Sequence, residues 1–212
     1  HAKEAQLHHK MHLVPFGEYV PLREEFPLLA KIVGDLVPSD FDAGKEFTIL
    51  ELQSKPVKLG PLVCFEDTVA DLARHFSLLG AQCFVVVTND GWFLKSAGSL
   101  QHLNNAVFRC VENKIPMIRA ANTGVTCAID RLGVVREVLR DASGSTFLQG
   151  VLFSKISVPI ATAPTFFARY GEVFSISCLA ISLLTLGISL IRLRKNKKSS
   201  CSNPPETKTS AP

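Results

Sequence analysis

The amino-acid sequence predicts a layered α/β domain followed by one membrane-spanning helix. Three observations carry this expectation. Short apolar runs alternate with segments of helical periodicity between residues 47 and 158, the signature of strands and helices stacked in layers. Two of those runs, Val57–Cys64 and Cys83–Val87, end on or just before chemically capable residues. An uncharged stretch, Val173–Ile191, is followed at once by Arg192, Arg194, Lys195, Lys197 and Lys198.

Bulk properties narrow the function classes. The net charge of +4 comes from the end of the chain, where residues 192–212 hold six of the 23 Lys and Arg against one acidic residue. The remainder, with 17 basic and 18 acidic residues, is near neutral, so nothing points to a nucleic-acid groove. The six cysteines (64, 83, 110, 127, 178 and 201) form no CxxC pair and no zinc-ligand spacing with histidine. They read as scattered thiols rather than a disulfide framework, and they leave the redox compartment open. The sequence starts at His1 rather than Met, which reads as a piece of a longer protein.

Taken in order, His8-His-Lys-Met-His12 offers a histidine cluster, but i, i+1, i+4 spacing without a carboxylate partner does not make a metal site. Lys10 precedes the apolar Leu13-Val14, and Pro15 and Gly17 favour a turn that presents Glu18. Pattern alone reads these two as a solvated lysine and a loop glutamate. Residues 23–46 read as a loop with a short helix around Leu28–Val37. Phe47–Leu52 and Val57–Cys64 then form a strand–turn–strand unit about Gln53–Pro56.

Thr68–Leu79 has helical spacing through Val69, Leu72, Phe76 and Leu79, with Asp67 as N-cap and Gly80 past the end. Cys64 thereby falls where a strand turns into a helix, a position whose partial positive charge suits a thiolate nucleophile. Position alone equally allows an inert core cysteine. Cys83–Val87 reads as a strand buried on both faces, delivering Thr88, Asn89 and Asp90 to its end. The next helix, Ser99–Asn113, takes Ser99 as N-cap and buries Leu100, Leu103, Val107, Cys110 and Val111. Pro116–Asp130 forms two strands broken at Asn122-Thr-Gly124, a turn at Asp130–Gly133 leads into Val134–Leu139, and Gly150–Val158 reads as a last strand.

Thr165–Gly171 brings Phe166, Phe167 and Tyr170 to the position of an interfacial aromatic belt. The nineteen residues that follow, at about 1.5 Å each, come to roughly 28 Å, near the ~30 Å hydrocarbon core of a bilayer. The basic cluster after them predicts a cytoplasmic end, hence an α/β body on the opposite side. The domains are then 1–160 for the catalytic body, 161–172 for a juxtamembrane segment, 173–191 for the span and 192–212 for a basic, disordered tail.

The motifs together resemble the carbon–nitrogen hydrolase (nitrilase) superfamily, and within it the bacterial apolipoprotein N-acyltransferase branch. The resemblance rests on Lys10-x-His-Leu-Val-Pro-Phe-Gly-Glu18-Tyr-Val-Pro21, Gly60-Pro-Leu-Val-Cys64-Phe-Glu66 and Thr88-Asn-Asp-Gly-Trp-Phe93. Gln101-His102, Arg119-Ala-Ala-Asn-Thr-Gly124 and Ala168-Arg-Tyr-Gly171 before the final span complete it. The resemblance implies part of an αββα sandwich with a Glu–Lys–Cys triad. Cys64 matches the nucleophile, Lys10 the catalytic lysine, Glu18 a supporting active-site glutamate, and Glu66 the glutamate after the nucleophile. The base, a glutamate on an earlier strand, has no counterpart here. Phe65 stands where the family usually has tyrosine, which loses a hydroxyl beside the nucleophile.

Further implied are a Cys64 thioester formed from a phospholipid acyl donor and transfer of the acyl group to the N-terminal diacylglyceryl-cysteine of an apolipoprotein acceptor. The implied setting is the bacterial inner membrane, with the catalytic body on the periplasmic side. Phe65, Asn89 and Trp92 are candidate substrate contacts; Asn89 and Trp92 read equally well as structural. No metal or organic cofactor is called for. A small-amide hydrolase with the same triad and a non-catalytic membrane-tethered module are the alternatives. The uncharged stretch argues against the first, and the presence of Cys64, Lys10, Glu18 and Glu66 against the second.

Overall fold

The computed structural model describes residues 5–22, 25, 41–161 and 163–202; the short helix expected around Leu28–Val37 lies outside them. Six strands form one sheet: β1 (Leu50–Glu51), β2 (Lys58–Val63), β3 (Cys83–Asn89), β4 (Met117–Asn122), β5 (Cys127–Ile129) and β6 (Val135–Val138). They lie side by side in chain order. β2, β3 and β4 are parallel, and the outer pairings are antiparallel. Parallel neighbours need a crossover. These are α1 (Ala70–Leu78) between β2 and β3, and α2 (Gly98–Asn113) between β3 and β4.

Both helices cover one face of the sheet. Leu72, Ala73 and Phe76 of α1 and Leu103, Ala106 and Cys110 of α2 bury against Leu62, Phe84, Val86 and Met117. Phe76 and Phe84 are the largest apolar side chains in this core, and truncating such a residue to Ala costs about 3–5 kcal/mol. The opposite face is open. Val87 is 52% and Ile118 45% exposed, so β3 is not buried on both faces as its apolar run suggested. There the loop residues Gly150, Val151, Leu152, Ser154 and Ile156 line a pocket together with Val87, Ile118 and Ala120.

Several boundaries shift for local reasons. α1 starts at Ala70 with Val69 as N-cap, because Asp67 is drawn into the core by charge partners instead of capping. Gly80 follows the helix with φ +88, as a left-handed terminator should. α2 starts at Gly98, so Ser99 lies inside its first turn. Its buried face also turns from the expected one: Leu100 and Val111 are exposed, while His102, Arg109 and Asn113 are buried with specific partners. The strand expected over Phe47–Leu52 shrinks to two residues. Gly150–Val158 forms none: among the described residues no strand pairs with it, and Phe153 is 90% exposed.

The segment before the last helix is tied to the body. Thr165 Oγ1 donates to Glu112 O at 2.5 Å, and Arg74 Nη1 donates to Ala168 O at 3.1 Å. α3 (Phe166–Tyr170) carries the aromatic pair Phe166 and Tyr170, both exposed. Gly171, at φ +59, ends it.

The C-terminal unit, from Tyr170 on, contains α4 (Val173–Ser202). Its segment Val173–Lys195 holds an 18-residue stretch with a mean hydropathy of 2.2 and is long and apolar enough to cross a membrane. Serines on it close their hydroxyls onto the helix itself, Ser182 onto Cys178 O and Ser189 onto Thr185 O, which removes unsatisfied donors from an apolar setting. The helix continues to Ser202.

Candidate active site

Chemistry in open parallel sheets collects at the carboxyl ends of the strands. Here β2 ends at Cys64, β3 at Asn89 and Asp90, and β4 at Asn122 and Thr123. Between β2 and α1 runs a 3-10 turn, Cys64–Thr68. The first residue of this turn, Cys64, has φ +53, a left-handed conformation that a non-glycine residue adopts only where its surroundings impose it. The strand-to-helix elbow therefore turns the thiol out of the sheet's pattern. α1 itself begins only at Ala70, so the helix end invoked for the sulfur lies further along the chain than the sequence suggested.

Cys64 lines a cavity of about 470 Å³ with Glu18, Phe65, Asn89, Trp92 and His102 among its walls. Apolar groups dominate one side through Val14, Phe16, Phe65 and Phe93. Trp92 at the rim is 80% exposed, and Leu94 beside it 76%. Among the site candidates named from sequence, Cys64, Glu18, Phe65, Asn89 and Trp92 are thus brought together; Lys10 and Glu66 are not in the wall.

Lys10 reaches the site through Glu18. Its Nζ donates to both Glu18 carboxylate oxygens, at 2.7 and 2.6 Å, and Val14 N donates to Glu18 Oε2 at 2.8 Å. Turn bonds from Gly17 N and Glu18 N to Val14 O hold the Pro15–Gly17 corner that presents the carboxylate. Both side chains of the pair are largely buried, not solvated.

Glu66 is a buried staple. Its Oε1 accepts from Met11 N at 2.6 Å and His12 N at 3.0 Å, and its Oε2 accepts from Val63 N at 2.7 Å. Burial acts to raise its pKa, but His8 and the three backbone donors outweigh it and hold the carboxyl below its ordinary value. The segment after Lys10 is thereby fastened to the strand that delivers Cys64. His8 packs edge-on to Phe76 beside it, ring centroids 5.7 Å apart. Phe65 stacks on His12, ring centroids 5.8 Å apart.

Sequence reasoning missed a buried group of four charges. His102 Nε2 lies 2.5 Å from Asp67 Oδ1, and its Nδ1 2.8 Å from Asp90 Oδ1. Arg119 spans the other oxygens, with Nε 3.3 Å from Asp67 Oδ2 and Nη2 3.2 Å from Asp90 Oδ2. Asp67, Asp90 and Arg119 are fully buried and His102 nearly so. Burial opposes charge on His102, yet its bonds to Asp67 and Asp90 and the charge of Asp67 push its pKa up to about 9, against the nearby Arg119. The imidazole and the guanidinium thus sit between the two carboxylates, with Arg119 Nη2 also 3.0 Å from His102 Nδ1. The signal that could have found the group was Arg119 itself, a lone guanidinium in an apolar strand, which must meet buried carboxylates.

Among the described residues no group of three or more His, Cys, Asp or Glu is arranged to hold a metal ion. Cys83, Cys110 and Cys127 are buried free thiols whose pKa values burial pushes up, Cys83 to about 12 and Cys127 to about 11, so they are poor nucleophiles.

The model of the carbon–nitrogen hydrolase family matches residues 1–159. An apolipoprotein N-acyltransferase of Geobacter metallireducens is 37% identical over 183 residues, 86% of this chain and 33% of that protein. Apolipoprotein N-acyltransferase 1 of Treponema denticola is 34% identical, covering 89% of this chain and 33% of that protein. The apolipoprotein N-acyltransferase of Rickettsia prowazekii is 32% identical, covering 87% and 35%. The chain spans about a third of the length of these relatives. A carbon–nitrogen hydrolase structure from Helicobacter pylori G27 aligns at a TM-score of 0.42 and 16% identity, over 47% of this chain and 41% of that one. The chain belongs to the carbon–nitrogen hydrolase family.

Proposed function

We propose that these residues form part of a membrane enzyme that N-acylates the amino terminus of diacylglyceryl-modified apolipoproteins, with a phospholipid as acyl donor. The observation that carries the reading is Cys64 on a left-handed elbow, opening into a largely apolar cavity with Glu18 in its wall and Lys10 bonded to that glutamate. The names of the relatives and the apolar helix Val173–Lys195 support it.

In this reading the Cys64 thiolate attacks the sn-1 ester carbonyl of the phospholipid. The carbon–oxygen bond breaks, the lysophospholipid leaves with a proton, and a thioester remains on Sγ. The acceptor amine then attacks the thioester carbonyl, the carbon–sulfur bond breaks, and an amide forms as the amine gives up its proton. Lys10, steered by Glu18, and the backbone N–H groups of the Cys64 turn stabilise the oxyanion. The Glu18 carboxylate is taken up by Lys10 and Val14 N; the thiol proton goes, as the family resemblance implies, to a glutamate on an earlier strand outside these 212 residues. Phe65 and Trp92 line the acyl path, and Asn89 contributes a polar wall. The enzyme sits in the bacterial inner membrane with α4 crossing it, its basic end cytoplasmic and the α/β body periplasmic.

The test is intact mass of the full-length protein after incubation with phospholipid, beside Cys64→Ala. A hydroxylamine-labile acyl adduct absent from the variant is expected. Turnover of small amides without any adduct would replace the reading with an amidase.

A further inference from the structure

The four buried charges join three elements that carry part of the cavity, and tie them to β4. Asp67 belongs to the turn that starts with Cys64. Asp90 starts the 3-10 turn Asp90–Phe93, which presents Trp92 and Phe93. His102 lies in α2, and its ring is itself a piece of the cavity wall, with Phe93 standing edge-on to it at 6.0 Å. Arg119 comes from β4, and its Nη1 donates to Val125 O at 2.9 Å, reaching past the turn that carries Gly124.

A second tie reinforces the same turn: Arg109 Nη1 of α2 donates to Thr68 O at 2.8 Å, while Glu112 holds its other nitrogens. Thr88 Oγ1 donates to Asp90 Oδ1 at 3.0 Å, which orients that carboxylate toward His102. Nothing here contacts the Cys64 sulfur. The contacts instead fix the far end of the elbow whose near end is the left-handed Cys64.

We propose that His102 is a positioning residue for the chemistry at Cys64: by bridging Asp67 to Asp90 it holds the nucleophile's turn and the Trp92 turn in one fixed relation across the cavity. A ring nitrogen on each carboxylate sets two directions at once, which a single carboxamide cannot reproduce. Loss of the bridge lets the two turns shift independently, so the sulfur and the acyl path lose register while the apolar core stays packed. Its consequence for acyl transfer rests on the function proposed above; its geometry does not.

The test uses the full-length protein in detergent, with His102→Gln and Asp67→Asn compared with the parent. Three quantities are measured: the rate of thioester formation with phospholipid, the rate of Cys64 alkylation by iodoacetamide read on the Cys64 peptide, and thermal unfolding. For folded His102→Gln, kcat of thioester formation is expected to fall by about 100-fold, the effect of a misplacement near 1 Å. KM for phospholipid should change by less than about threefold, since ground-state binding is kept. Cys64 alkylation should change by at least about threefold, because its turn has moved. This arm reads out even if no thioester forms in the parent, which separates failure of the positioning role from failure of the acyltransferase reading. A folded variant with parental alkylation and parental kcat overturns the proposal. Where His102→Gln does not fold, Asp67→Asn, which keeps the side-chain shape, is judged by the same criteria. Loss of folding in both variants assigns the four charges to stability alone and likewise overturns it.

Discussion

Two side chains that do not touch the cavity decide how its reactive groups are aimed. Lys10 is fully engaged with Glu18, so its charge is presented along the Glu18 turn rather than freely. Replacing it, as in Lys10→Met, leaves the Glu18 carboxylate with the Val14 amide and, in the proposed mechanism, removes the cation assigned to the oxyanion. Thioester formation is expected to fall by about 10²–10³. A loss within tenfold, measured by rapid-quench mass spectrometry, would make Lys10 a prop for the turn and nothing more.

Glu66 gives a prediction in pH. Its folded pKa lies below the ordinary value of 4.5, so the carboxylate contributes stability above that value, which is lost as pH falls through the folded one. Glu66→Gln should cost about 1.5–3 kcal/mol at neutral pH, the worth of a charge-assisted bond, and flatten the acid limb of stability. Thermal unfolding of parent and variant, from neutral pH down to about pH 2, checks both. An unchanged acid limb in the variant would mean that another carboxylate governs it.

Turns, more than strands or helices, hold the tolerances of this fold. Gly124, between β4 and β5, combines φ +124 with a backbone pressed against Asp90, and a Cβ there would collide with Asp90 Oδ2. Gly124→Ala is therefore expected to lose about 1–3 kcal/mol from backbone strain, and more from displacing Asp90 out of its contacts with His102 and Arg119. Thermal unfolding measures the loss; parental stability would show that the turn relaxes without moving Asp90. The same logic explains α2. Its buried face carries His102, Arg109 and Asn113 because each has a partner in place: Asp67 and Asp90, Glu112 and Thr68 O, and Arg109 O. Hydrophobic periodicity, which selects Leu100 and Val111, cannot see such partners.

The molecule as described is a sheet covered on one face, with an apolar helix in a unit of its own. If Val173–Lys195 crosses a bilayer, a charge at its middle must disrupt insertion. Leu183→Arg is expected to cost about 2.5–3.5 kcal/mol of insertion free energy, and to shift protein from the alkali-resistant membrane fraction to the soluble one. Retention of the variant in the membrane at the parental level would point to anchoring elsewhere.

Much of this was readable along the chain because it is written in neighbours. Alternating apolar runs set β2, α1, β3, α2, β4 and β5, since side-chain period follows directly from backbone geometry. The Pro15–Gly17 corner presenting Glu18 and the uncharged stretch from Val173 were equally local. The motifs also carried the family, matched over residues 1–159. What stayed hidden joins residues far apart: Asp67 and Arg119 are 52 positions distant, and Glu66 and Met11 are 55. Local spacing made Asp67 a helix cap and left Arg119 unexplained. Folding instead buries both, and a buried charge requires a counter-charge in contact, wherever in the sequence that partner lies.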